Sequence, residues 1–320
     1  MLVERRIRNY QAPLHQYMSG GGKRAIEIAH RRWGKDEIAL AWTFQALTDR
    51  PATYWHCLPQ LTQARKAIWT AVNPHTGKRR IDEAFPVELR EVTNEQEMFI
   101  RFTNGSTWQV IGSDTYDSLV GAGVAGIVFS EWALANPSAW GYLSPMMREN
   151  NGWALFISTP RGKNHAYDMF NHARKSDDWF SEISDARATG AFNDEQLAGI
   201  REEYVSLYGK EFGASQFEQE YLCSFEAAIL GSFYGGELVT ARADGRICEV
   251  KHDPSLPVQT VWDIGYSDDT AILFVQVAAN EVRIIDTYST NGQPLSHYAE
   301  VIASKNYNYS RHVLPHDAQA

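Results

Sequence analysis

Residues 29–40 read AHRRWGKDEIAL, a run in which Gly34 and Lys35 close a short loop and Asp36 follows them. The apolar run RAIEIAH (24–30) precedes the loop, and Leu40, Phe44 and Leu47 after it repeat at the spacing of one helix face. A loop between a buried strand and a helix turns backbone N–H groups and a helix N-terminus towards phosphates. A Lys one residue into that helix reaches the terminal phosphates. The usual phosphate-loop pattern continues with Ser or Thr, whose hydroxyl is a ligand of Mg2+; Asp36 stands there instead. A Gly-Lys pair also arises by chance, so the reading depends on other pieces.

Two such pieces follow. In AGIVFSEWA (125–133) Glu131 ends a bulky apolar run, where a carboxylate can orient and deprotonate an attacking water. In GWALFISTP (152–160) a second apolar run ends in the polar turn Ser158–Gly162, suited to sensing a terminal phosphate. The residue before Glu131 is Ser130, where ordinary phosphate-loop ATPases carry an Asp beside the metal. Asp36 and Ser130 are therefore reciprocal departures. Read together, they keep one hydroxyl and one carboxylate beside the same Mg2+; read apart, they are common residues at helix starts and strand ends.

These groups need a sheet to hold them. Runs 24–30, 125–133 and 152–160 read as strands buried on both faces with helical stretches between them, an α/β pattern. Residues 165–222 read as mostly helical. A Gly-rich shift near 226–257 reads as a linker, and from Val258 a new strand pattern begins with VQTVWDIG, TAILFVQVA and EVRIIDTYS. Asp263 ends the first of these runs, and Asp317 follows a later one. Asp268 and Asp286 lie near enough in sequence to add carboxylates to the same site, or else cap turns.

The chain of 320 residues, 44% hydrophobic and 22% charged, has room for two domains and an ordinary globular core. No apolar stretch of membrane-spanning length interrupts it. Cys57, Cys223 and Cys248 show no metal-ligand spacing, so a reduced, cytoplasmic setting is expected and no role is assigned to them. The net charge of -9 argues against a polyanionic partner, but residues 1–80 hold 14 Lys and Arg against 5 Asp and Glu. Basic charge thus collects around the candidate loop, as a solvated face or as a phosphate or DNA surface.

In order, these pieces resemble the large terminase subunit of tailed bacteriophages. NYQAP resembles the family's adenine-contacting stretch, with Gln11, or alternatively Gln16, in that role. CLPQLTQARKAIW resembles the segment after the second core strand, and NGSTWQVIGSDTYDSLVGAGVAGIVFSEWA the hairpin, Asp turn and Walker B strand. ISTPRG resembles the coupling motif, and FEQEYLCSFEAAILGSFY the passage leaving the ATPase. The resemblance implies an α/β fold: a P-loop ATPase core (ASCE type, parallel sheet between helices) followed by a partial ribonuclease H-like nuclease domain.

It implies ATP binding by Gln11, Gly34, Lys35, Asp36 and Ser130, with Glu131 as catalytic base. Arg31 or Arg32 is the Arg that steadies transition-state charge, or else a phosphate or salt-bridge partner. Thr159 and Arg161 couple hydrolysis to movement. Asp36 and Ser130 hold the ATPase Mg2+, and Asp263 and Asp317 hold nuclease Mg2+ or Mn2+. Val120 stands where many relatives carry Arg, leaving a trans-acting finger unassigned.

The expected boundaries are 1–225 for the ATPase with a helical subdomain from about 165, 226–257 for the linker, and 258–320 for the N-terminal part of the nuclease. The family continues past this point through further strands and helices that supply another acidic ligand, whereas three residues follow Asp317 here, so only part of the nuclease fold is expected in these 320 residues. The implied activity is ATP-driven translocation of double-stranded viral DNA into the capsid, with metal-dependent cleavage of concatemers. The implied partners are double-stranded DNA, a portal protein, a small terminase subunit and further copies in a ring on the portal. The implied place is the bacterial host cytoplasm, transiently at the procapsid portal. The competing readings are a helicase-like or DNA-repair P-loop ATPase and a decayed prophage remnant without turnover.

Overall fold

The computed structural model describes residues 7–114, 116, 123–226, 237–238, 240–241, 244–265 and 269–315. Val120, Asp268 and Asp317 lie outside the described residues. The chain divides into two compact units, residues 1–236 and 237–320.

The first unit runs α1 (Ala12–Ser19), β1 (Arg24–Ala29), α2 (Lys35–Asp49), β2 (Thr53–Leu58), α3 (Leu61–Ala64), α4 (Arg80–Ala84), β3 (Arg90–Asn94), β4 (Phe99–Phe102) and β5 (Thr107–Gly112). It continues through β6 (Val124–Ser130), α5 (Ser138–Glu149), β7 (Trp153–Ser158), α6 (His165–Ala173), β8 (Trp179–Ser184), α7 (Ala186–Thr189), α8 (Asp194–Tyr208) and α9 (Lys210–Leu222). Among the described residues eight strands form one sheet in the order β3-β4-β5-β2-β6-β7-β1-β8. From β5 to β8 every neighbour is parallel, and β3-β4-β5 pair antiparallel. β7 sits between β1 and β6, the insertion that an ASCE-type P-loop core requires. Three strand ends, carrying the loop, the Ser130-Glu131 pair and the Ser158-Thr159 turn, therefore lie side by side on one edge of the sheet.

β6 and β7 are buried at every residue, which is why they read as continuous apolar runs. β1 alternates faces. Ala25 and Ala29 pack with Leu14, Met18 and Ile38 of α1 and α2, while Ile26 and Ile28 pack with Leu143 of α5 and Phe170 of α6. Each large apolar side chain taken from water this way contributes about 1.5–3 kcal/mol, enough to fix the sheet between its two helix layers. Cys57 and Cys223 are buried, and burial pushes both thiols up, away from reactivity.

The stretch 165–222 is mostly helical, as α6 to α9, but it also contributes β8 to the main sheet, beside β1. Its sequence, WFSEIS, is buried fully only at Ser184, so an edge strand with polar residues on a half-covered face lacked the apolar run that marked its neighbours. α7, α8 and α9 then pack around Ala186, Leu197 and Phe217.

In the second unit, residues 244–257 carry neither helix nor strand. β9 (Val258–Asp263), β10 (Thr270–Ala278), β11 (Glu281–Thr290), α10 (Leu295–Ser304) and β12 (Tyr309–Val313) follow. The sheet order is β11-β10-β9-β12, with β12 parallel to β9 and the other pairs antiparallel. Val258, Ile272, Phe274 and Tyr298 form its core. This order, with a helix before the fourth strand, fits a partial ribonuclease H-like unit. Asp286 is not a turn cap: it sits within β11 and pairs with Lys305 and Tyr307, because β11 is long enough to carry it past the turn. Among the described residues no helix is long and apolar enough to cross a membrane.

Candidate functional site

The loop after β1 turns on Gly34, whose φ of 91° and ψ of 34° lie in the left-handed region open to glycine. A Cβ there would overlap the Arg8 guanidinium. Arg8 donates to the Trp33 carbonyl at 2.6 Å, and the buried Gln11 amide donates to the Trp33 and Gly34 carbonyls at 3.1 and 3.3 Å. Gln11 thus braces the loop; Gln16 lies exposed on α1. His30 anchors the other end. Its Nδ1 donates to the Arg31 carbonyl at 2.7 Å, which leaves Nε2 to accept from Thr189 Oγ1 at 2.9 Å. Burial holds the His30 imidazole below its ordinary pKa, in keeping with that neutral tautomer.

Lys35 opens α2 at 9% exposure. Its ammonium donates to Thr159 Oγ1 at 2.9 Å, to the Ala29 carbonyl at 3.2 Å and to the His30 carbonyl at 3.4 Å. Among the described residues these partners are uncharged, and no carboxylate lies within ion-pair distance of Lys35. Thr159 in turn donates to the Ala29 carbonyl at 3.2 Å, so the turn after β7 is tied to the loop through the Lys.

The reciprocal pair is in direct contact. Ser130 Oγ, at the end of β6, donates to Asp36 Oδ1 at 2.7 Å, and the same oxygen accepts from His56 Nε2 of β2 at 3.2 Å. Burial raises the Asp36 carboxyl, but the His56 hydrogen bond and charge and the Ser130 hydroxyl more than offset it, leaving it below the usual carboxylate range. Glu131 follows with φ 52° and ψ 45°, a left-handed conformation that costs a non-glycine residue about 1 kcal/mol and breaks β6 sharply at its end. Burial pushes the Glu131 carboxyl up, with Asp36 and Glu220 adding to the rise and Lys35 and Arg161 opposing it. A carboxylate in that environment holds a proton more readily than one in water.

Glu220, which sequence reading passed over inside FEQEYLCSF, joins three segments. Its carboxylate pairs with Arg31 at 3.1 Å and with Arg161, and its backbone carbonyl accepts from the Arg31 N–H at 2.8 Å. Burial raises the Glu220 carboxyl, and the two guanidiniums pull it below its ordinary range. Arg31 is therefore held against α9, whereas Arg32 is exposed in a left-handed conformation, φ 71°. His56 was also passed over: a His within the buried run TYWHCL carries no motif, and only the fold places it under Asp36.

The structure thus gathers Gly34, Lys35, Asp36, Ser130, Glu131, Thr159, Arg31 and Arg161 around one sheet edge. Asp263 lies exposed at the end of β9 in the second unit. β9 and β12 run parallel with Val261 opposite Val313, so the two strands end on the same edge. Among the described residues no cluster of three or more His, Cys, Asp or Glu is placed to hold a metal ion.

Comparison with known proteins places this arrangement. The large terminase subunit of Escherichia phage T5 is 26% identical over 277 residues, covering 84% of this chain and 58% of that protein. The large terminase subunit of Thermus phage G20c is 27% identical over 163 residues, covering 46% of this chain and 33% of that protein. The chain spans less than two thirds of the length of either curated relative. In fold, the first unit is similar to the large terminase ATPase domain of Thermus phage P74-26, with a TM-score of 0.54 and 23% identity over 70% of this chain and 96% of that one. The large terminase of another thermophilic bacteriophage, solved in complex with ADP, aligns over 98% of this chain and 78% of that one, with a TM-score of 0.53 and 12% identity. The model of the family described as terminase large subunit, T4likevirus-type, N-terminal, matches residues 25–240, from β1 past α9, and the chain belongs to that family.

Proposed function

We propose that residues 1–225 form a Mg2+-dependent ATPase, its helical subdomain beginning after β8 rather than at about 165, that moves double-stranded DNA for packaging. Residues 226–257 act as a linker, and 258–320 form the N-terminal part of a nuclease. The observation that carries the ATPase reading is Lys35: a nearly buried ammonium, held by three neutral oxygens with no carboxylate partner among the described residues. An uncompensated buried charge costs several kcal/mol, and a phosphate entering the loop supplies the missing anion.

The residues suit a bound nucleotide and its metal. The Asp36-Ser130 contact puts one carboxylate and one hydroxyl beside the phosphate position, a pair of hard oxygen ligands for Mg2+. When bound, that ion neutralises charge between the phosphates. Lys35 binds the β and γ phosphates, and Glu131 takes the proton of the attacking water. Thr159, hydrogen-bonded to Lys35, senses whether that ammonium is engaged. Arg31, once released by Glu220, or the exposed Arg32 steadies developing charge, and Arg161 passes the change to α9 through the same Glu220. Gln11 sets the loop that faces the adenine side. The partners of the reading are double-stranded DNA, a portal, a small terminase subunit and further copies in a ring, in the bacterial host cytoplasm and at the procapsid portal.

ATP hydrolysis measured with and without double-stranded DNA tests this. Wild type is expected to turn over ATP faster with DNA, and Lys35→Ala to lose about 10²-fold or more in rate. Hydrolysis by Lys35→Ala at the wild-type rate would remove the loop from the reaction, and separation of a duplex by the protein would favour a helicase. For the nuclease, Asp263 and Asp317 offer two carboxylates, and two-metal cleavage needs enough of them to hold ions about 4 Å apart. Cutting of supercoiled plasmid by this chain in Mg2+ or Mn2+ is expected to be weak or absent. Strong cutting abolished by Asp263→Ala would contradict that.

A further inference from the structure

His56 is fully buried, yet only one of its two ring nitrogens has a partner among the described residues. Nε2 lies 3.2 Å from Asp36 Oδ1, and Nδ1 has none. An apolar side chain of similar size would pack beside Trp108 without an orphaned nitrogen, so the Asp36 bond is what the imidazole contributes. Facing a carboxylate, Nε2 is the nitrogen that carries the proton and donates.

Both donors, His56 Nε2 and Ser130 Oγ, converge on the same oxygen, Oδ1. Among the described residues Asp36 Oδ2 takes no hydrogen bond, and the Asp36 side chain remains 21% exposed. Two donors from two strands hold Oδ1 and leave the second oxygen unengaged by any hydrogen bond among the described residues. A Ser or Thr at this helix position would need no such support, because a hydroxyl presents its lone pairs whichever way it rotates. A carboxylate must be aimed.

We infer that His56 is a positioning residue for the Mg2+ of the bound nucleotide: it holds Asp36 Oδ1 from beneath so that Oδ2 faces the ion, making Asp36 serviceable where a hydroxyl is usual. This rests on the nucleotide-site reading above. It also extends the exchange from two positions to three, with His56 on β2 joining Ser130 in orienting the Asp after the loop Lys.

The experiment is the binding of a fluorescent ADP analogue to the full chain, in Mg2+ and in EDTA. In wild type, affinity is expected to be higher in Mg2+. In His56→Phe, affinity in EDTA stays within about twofold of wild type while the gain from Mg2+ shrinks about tenfold, the size expected for one hydrogen bond to a charged group. His56→Gln, whose amide nitrogen falls near the place of Nε2, recovers most of the gain; His56→Asn, with a shorter reach, does not. An unchanged Mg2+ gain in folded His56→Phe would overturn the inference, as would affinities falling equally in Mg2+ and EDTA. If the Phe variant does not fold, equal Mg2+ gains in the Gln and Asn variants would overturn it. Wild type that binds ADP in neither condition would overturn the nucleotide site itself.

Discussion

At Asp36 a single oxygen collects hydrogen bonds from two different strands, from Ser130 on β6 and from His56 on β2. Ser130 lies 2.7 Å from that carboxylate, so one hydroxyl and one carboxylate stand together at the two positions whose exchange is proposed. If the two positions exchanged roles, Asp36→Ser removes the carboxylate at the metal position and lowers Mg-ATP turnover, and Ser130→Asp crowds two carboxylates around one ion and lowers it too. The double variant, having restored one of each group, recovers. A double-mutant cycle on Mg2+-dependent ATP hydrolysis reads this, and additive losses would leave Asp36 as a mark of degeneration. Both positions could be picked out in the sequence because each stands beside a recognisable neighbour, Lys35 or Glu131. His56 and Glu220 could not, because their partners are distant in sequence and chosen by the sheet order and by the path of α9.

Strand β1 carries an unusual burden for an element buried on both faces. Glu27 is fully buried in its middle, its carboxylate eased by the Ser184 hydroxyl and opposed by Glu182, which lies opposite it on β8. Burial, reinforced by Glu182, holds the Glu27 carboxyl well above its ordinary pKa. The folded protein therefore keeps a proton at pH values where the unfolded chain has released it. The stability from that proton is complete below the unfolded carboxylate range and is lost as pH rises towards the folded value. Glu27→Gln removes the penalty. Its melting temperature is expected to exceed that of wild type by a few degrees near pH 8, with the gap closing as pH falls towards about 4.5. A gap that stays constant over this range would contradict the assignment. β1 and its partner β7 were plain in the sequence as RAIEIAH and GWALFISTP, but its other partner was not, since β8 is an edge strand whose polar residues imitate a solvated helix.

Across the whole molecule, the alternation of buried strands with helices made the first unit readable. The parallel order, with β7 between β1 and β6, then brings together groups about a hundred residues apart, such as Asp36 and Ser130. The second unit was readable as strands but less so as a site, since a strand-end Asp such as Asp263 is common and its expected partner, Asp317, lies outside the described residues. The basic excess of residues 1–80 surrounds the loop in sequence and suits phosphate or DNA in an otherwise acidic chain. On the function proposed above, this loop and this sheet edge hydrolyse ATP through Glu131. The most direct measurement is ATP binding and ATP turnover in Glu131→Gln beside wild type. Binding is expected to be retained while turnover falls about 10²- to 10⁴-fold, because an amide cannot accept the proton of the attacking water; turnover near the wild-type rate would remove Glu131 from the reaction.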